Sequence, residues 1–159
     1  MPYPRFQRSR SHKFALRSTG DVAITSTSFT VVDGGMDLTL DVQPVDVVEL
    51  GVSLAAAHNT ASGLIAFDVG TLVAGSVVSR VSGNTEGVSG WRESRAATAE
   101  LVPISGSYLY VVTGADMVGT TATFRLLART NTGTLTVYAD GAARRLQFWA
   151  RNLGPVDPN

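Results

Sequence analysis

Residues able to do chemistry are few here, and they are scattered. Histidine occurs twice, at His12 and His58, and cysteine is absent. Without cysteine there is no disulfide, no thiolate metal site and no thiol nucleophile. His58 stands beside Asn59 with no acid or nucleophile at the spacing a positioned general base requires. Asp33, Asp37 and Asp41 recur at every fourth residue. Carboxylates spaced this way could hold a hard cation together with loop carbonyls. Solvated carboxylates on the outer face of a strand are the simpler reading. No carboxylate pair stands out for glycoside hydrolysis. Gly83, Gly87 and Gly90 punctuate a loop without a following helix, and neither a dinucleotide nor a P-loop glycine motif occurs. These patterns yield no catalytic residue, no metal ligand and no cofactor, and they point away from an enzyme.

The elements that would position any site are strands. Val45 to Ala57 carries Val48, Leu50, Val52, Leu54 and Ala56 on one alternate set and Val47, Glu49, Gly51 and Ser53 on the other. A period of two predicts a long strand, and a helix would scatter the same residues around its circumference. Further alternating stretches are Met36–Val42, Leu64–Val69, Ser76–Val81, Tyr108–Val112, Ala122–Ala128, Leu135–Ala139 and Leu146–Ala150. Asp21–Val32 reads as one more strand with a bend at Thr27–Ser28. Asp33-Gly34-Gly35 reads as a hairpin turn, and Gly70–Ala74 as another turn. Ser82–Thr98 has no period and reads as a long loop, the kind of segment that often carries contacts. Eight to ten strands without a convincing helix predict an all-β, antiparallel β-sandwich, of jelly-roll type rather than an up-and-down barrel.

The chain has 159 residues, enough for one domain burying roughly 70% of its unfolded surface. Its formal net charge is zero, but the charge is uneven. Residues 1–17 hold Arg5, Arg8, Arg10, Lys13 and Arg17 and no acid, leaving 13 − 5 = 8 basic groups against 13 acidic ones in the rest. The reading is a basic, extended N-terminal arm (1–17) on an acidic body (18–155), with a loose tail (156–159). Pro2 and Pro4 force extended backbone in the arm, and the KFALR stretch (13–17) can form a first edge strand. The start lacks the apolar run of a signal peptide, and no stretch has the length of a membrane span, so a soluble protein made in a cytoplasm is expected.

Two surface groups follow from the alternation. If Phe148 faces the core, Trp149 points outward beside Gln147 and Arg151, as an interface anchor would. Coverage of both faces of that strand within one subunit is the competing reading. Leu153 and Leu127 join Trp149 as apolar residues expected outward. Trp91, near Arg92 and Arg95, reads equally as a sugar platform, an interface residue or plain loop packing. In the arm, Tyr3 and Phe6 interleave with the arginines, a pattern compatible with nucleic acid. Arg–carboxylate contact with an acidic protein surface is the preferred reading.

The segments SGSYLYVVTGADMVGTTATFRLLAR (105–129) and LQFWARNLGP (146–155) resemble the second half of the jelly roll in tumour-necrosis-factor and complement-type trimeric modules. With PVDVVELGVSLAAA (44–57), they also resemble small virion proteins of tailed phages infecting actinobacteria. The resemblance implies a head decoration protein on the capsid exterior that forms a homotrimer and contacts the major capsid protein. The capsid anchor would then be Arg5, Phe6, Arg8, Arg10 and Lys13, and the oligomer interface Trp149, Arg151 and Leu153. The basic arm departs from the signalling modules and favours an anchor over a secreted ligand. The alternative is a tail or fibre-tip adhesin binding a host surface polysaccharide.

Overall fold

The computed structural model describes residues 11–95, 97–141 and 144–156. Arg5, Phe6, Arg8 and Arg10 therefore lie outside the described residues. Thirteen strands are found among those that are described: β1 His12–Arg17, β2 Val22–Ile24, β3 Thr30–Val31, β4 Leu38–Asp41, β5 Asp46–His58, β6 Leu64–Val73, β7 Ser76–Arg80, β8 Arg92–Ser94, β9 Val102–Val111, β10 Met117–Val118, β11 Thr121–Arg129, β12 Leu135–Tyr138 and β13 Leu146–Pro155. All pairings are antiparallel.

They form two sheets. In sheet A, β5 is long enough to pair with β9 along one side and with both β13 and β12 along the other, while β1 flanks β13 and β2 flanks β12. In sheet B, β11 and β6 are central, β7 and β8 flank β6, and β3 and β4 flank β11. The pairings are nested: β6 with β7, β5 with β9, β4 with β11, and β1 with β13. That is one long hairpin rolled across two sheets, the connectivity of a jelly roll.

The core is the meeting of the two inner faces. Val48, Leu50, Val52, Leu146 and Phe148 of sheet A face Leu40, Phe67, Val69, Phe124 and Leu126 of sheet B, and all are fully or almost fully buried. Each large apolar side chain so buried contributes about 1.5–3 kcal/mol, and no disulfide is available to help.

Several sequence expectations are corrected. Asp33-Gly34-Gly35 does not close a hairpin. It begins a 3-10 turn, Gly34–Met36, capped by the Asp33 carboxylate, which accepts from the Gly35 amide. The strands on either side of it, β3 and β4, both pair with β11. Asp21–Val32 is not continuous and is divided into β2 and β3, one in each sheet. Gly70 is no turn residue but the middle of β6, where a Cβ would come within 2.8 Å of Val77 and 3.1 Å of Leu127. No helix among the described residues is long and apolar enough to cross a membrane.

Candidate functional site

The outer face of sheet A carries the feature that asks for a function. Cross-strand register sets its side chains in rows. His12, Arg151, Glu49 and Leu109 make one row; Phe14, Trp149, Gly51 and Ser107 the next; Leu16, Gln147, Ser53 and Ser105 a third. Val47 and Val111 continue the face on the other side of the first row. Phe14 is 53% exposed and Leu109 60%, with Leu16 and Val111 also largely open. Trp149 is half-buried because it lies across Gly51: a Cβ there would fall 2.0 Å from the indole ring carbons. Glycine at 51 therefore makes the seat for the tryptophan. Arg151 reaches Glu49 at 2.8 Å, a partly exposed pair in the row next to the tryptophan that adds about 1 kcal/mol at most to stability.

The expected interface residues thus occupy one strand, β13. Trp149 and Arg151 sit on the outer face, and half-buried Leu153 lies at the bulge between Asn152 and Gly154. Leu127, expected outward and available, is instead 2% exposed, covered where it meets Gly70 and Val77. Lys13 lies within β1 opposite Ala150, is exposed, and lines a shallow groove with Gly35–Thr39. The sequence reading missed Phe14, Leu109 and Val111. No local signal marked them as one patch, because what sets Phe14 beside Trp149 and Leu109 beside Glu49 is cross-strand pairing, which single-strand alternation cannot reveal.

The polar groups singled out earlier have structural partners. The His58 Nε2 lies 2.6 Å from the Thr130 hydroxyl, whose proton goes to the Thr132 carbonyl. The Thr60 amide donates to His58 Nδ1. This network assigns the Nε2–H tautomer, and the ring packs on Gly63, where a Cβ would come within 1.9 Å. Asp37 takes a bidentate pair of hydrogen bonds from Arg125, at 2.8 and 2.6 Å, and Asp33 accepts from Arg17 at 2.6 Å. The Asp37 carboxylate raises the Arg125 pKa. Burial alone would raise the pKa of Asp33, but the Gly35 amide and Arg17 outweigh it and hold the carboxyl below its ordinary value. Trp91 is 1% exposed and belongs to the core, so it offers no sugar platform.

Asp116 is, like Asp68, a carboxylate that accepts four hydrogen bonds. It accepts from the Thr71 hydroxyl, the Tyr110 hydroxyl, and both the amide and hydroxyl of Thr113, at 2.7–2.8 Å. Burial pushes its pKa up, and those four donors together pull it below the ordinary carboxylate value. Burial, then the Asp116 carboxylate, raise the Tyr110 phenol. The group ties β6, β9 and the turn before β10 at one end of the sandwich. No cluster of three or more metal-ligating side chains occurs among the described residues.

No family model matches this chain, and no curated protein matches it in sequence. Among solved structures, it is similar to a chain in the structure of infectious bursal disease virus Gx strain, with a TM-score of 0.44 and 8% identity over 94% of this chain. The match spans 38% of the length of that chain. So distant a likeness has no bearing on function, and the jelly-roll topology rests on the strand pairings themselves.

Proposed function

We propose that this chain is a non-enzymatic structural protein of a virion, a capsid decoration protein of a tailed phage. In this reading the body trimerises through the outer face of sheet A, and the basic N-terminal arm fastens it to the major capsid protein on the shell exterior. The observation that carries the reading is the half-open apolar face built around Trp149 on Gly51, with Phe14 and Leu109 on either side. Exposed apolar surface of this kind, crossed by an Arg–Glu pair, is characteristic of protein contact. The arm supports the same reading. It leads into β1 at the edge of the same sheet, so an arm bound elsewhere would tether this face near its anchor. Ten residues, if extended, reach about 33 Å, enough to cross onto a neighbouring subunit. Jelly rolls also serve lectins and cupins, so the fold alone does not select this function.

The test is attachment. Removal of residues 1–10, which precede β1, is expected to leave the melting temperature nearly unchanged and to abolish binding to empty shells. Charge reversal at Arg5, Arg8 and Arg10 is expected to do the same, and moderate salt should weaken the wild-type attachment. Wild-type occupancy by the truncated protein would overturn the anchor. Loss of DNA binding with intact shell occupancy would replace it with a nucleic-acid role.

A second reading, a fibre-tip adhesin for host polysaccharide, draws on an open groove of about 520 Å³ on the outer side of sheet B, lined by Phe29, Val77, Arg80 and Arg129 among others. The Arg80 and Arg129 guanidiniums lie 4.8 and 5.5 Å from the Phe29 ring centre, so a sugar stacking there would have to displace them. Binding of the protein to a glycan array, lost on Phe29→Ala, would favour this reading.

A further inference from the structure

Beyond the face contact, sheet A has a second feature in need of a partner: the open edge of β9. Among the described residues, β9 pairs on one side only, with β5 from Val102 to Val111 and without a register shift. Just past its end, the Val112 amide donates to the Asp46 carbonyl and the Val112 carbonyl accepts from the Val45 amide. Val112 is therefore turned toward β5. Strict alternation then turns Val111, Leu109, Ser107, Ser105 and Pro103 to the free edge. Pro103 alone of these five lacks an N–H. The edge thus offers four donors and five acceptors along ten residues.

Open edges are normally protected by charge, by proline or by shortness. The opposite edge strand, β1, is six residues long and carries His12, Lys13 and Arg17. β9 is ten residues long, has one proline near its start and no charged residue. An uncharged edge is also the kind that can meet itself. A two-fold axis through the middle of the open set sets Ser107 against Ser107 of a second copy, Ser105 against Leu109, and Pro103 against Val111. No like charges meet, and each proline falls at the end of the ladder, where its missing N–H costs least. The 60%-exposed Leu109 and the 46%-exposed Val111 gain cross-strand neighbours.

We propose that β9 pairs antiparallel with β9 of a second copy across a two-fold axis centred at Ser107, joining two A sheets into one continuous sheet. The occupant is another copy of this chain rather than a strand from a different protein. This backbone contact is distinct from the face contact, although Leu109 and Val111 present their side chains to the same outer face. On a shell it would link one decorating cluster to the next.

The experiment uses the full chain carrying Trp149→Ala, which removes the indole from the face and isolates the edge. Sedimentation equilibrium up to about 100 μM is expected to show a monomer–dimer equilibrium. Adding Ser107→Lys, or separately Ser107→Glu, is expected to weaken dimerisation at least tenfold, because each sets like charges against each other on the axis. Ser107 is exposed, so both variants should melt as the parent does. Mixing the Lys and Glu variants should restore dimers at low salt. A monomeric parent overturns the proposal. So does unchanged dimerisation in both variants, and so does a mixture that fails to re-associate, since that would mean β9 meets a segment other than itself. Failure here with Trp149-dependent association intact leaves the proposed function standing, and the converse leaves the edge contact standing.

Discussion

The two outer faces of this sandwich are finished in opposite ways. Over sheet B, Asp68 is fully buried and holds Ser82 through its hydroxyl and amide and Arg80 through a 3.2 Å ion pair. Arg80 in turn lies over Phe29, and Val77 closes over Gly70 against Leu127. Much of a face that alternation alone would leave wet is thus covered by residues from two stretches, one around Phe29 and one from Val77 to Ser82. Over sheet A, Phe14, Leu16, Leu109 and Val111 stay largely open, and only Trp149 is tucked down. A chain that covers much of one apolar face from within, leaving Val77 and Val78 exposed at its groove, and leaves the other bare has made one side more self-sufficient and the other better suited to contact.

The largest expected effect breaks the roof. Asp68→Ala strips Arg80 and Ser82 of a buried acceptor, and about 3 kcal/mol of unfolding free energy should be lost in urea titration. A loss under about 1 kcal/mol would mean that the roof is held by apolar packing instead. On the bare side, Trp149→Ala should weaken self-association by about 2 kcal/mol, roughly 30-fold, in sedimentation equilibrium. Gly51→Ala should act in the same direction by lifting the indole off its seat, so equal association in both variants and wild type would remove Trp149 from the contact. The smallest effect sharpens the contrast: Phe14→Ser should move the melting free energy by no more than about 0.5 kcal/mol while still lowering association, whereas a strongly destabilised variant would show that Phe14 serves the fold rather than a partner.

What the sequence made legible was whatever depends on period two within one strand. The alternation of β5, β11 and β13 placed Leu50, Phe124 and Phe148 inside and Trp149 outside, and the all-β sandwich followed. What it hid depends on distant neighbours. Leu127 has outward parity, yet its cover arrives from β7, some fifty residues upstream in the chain. Trp91 stands in an aperiodic stretch, so nothing local marks it as core. Its burial comes from loop backbone turning at Gly87 and Gly90, both at positive φ, and from hydrogen bonds linking Trp91 and Val88 to Phe67. The seat at Gly51 is legible only once Trp149 is known to lie opposite it.

The nested pairing of strands has a temporal consequence. The tight turn between β6 and β7 is the one main pairing that nearby residues can make by themselves. Each later pairing spans a wider interval, until Phe14 meets Trp149. As the chain leaves a ribosome, β1 must therefore wait unpaired, with Phe14 and Leu16 exposed, until β13 has been synthesised. Closing so wide an interval carries a large entropic cost, which places folding among the slow, milliseconds-to-seconds class of all-β domains. During that wait the same Phe14 and Leu16 that remain open in the finished molecule are exposed in the nascent one, so crowding of neighbouring nascent chains and premature association are hazards at the same stage of synthesis.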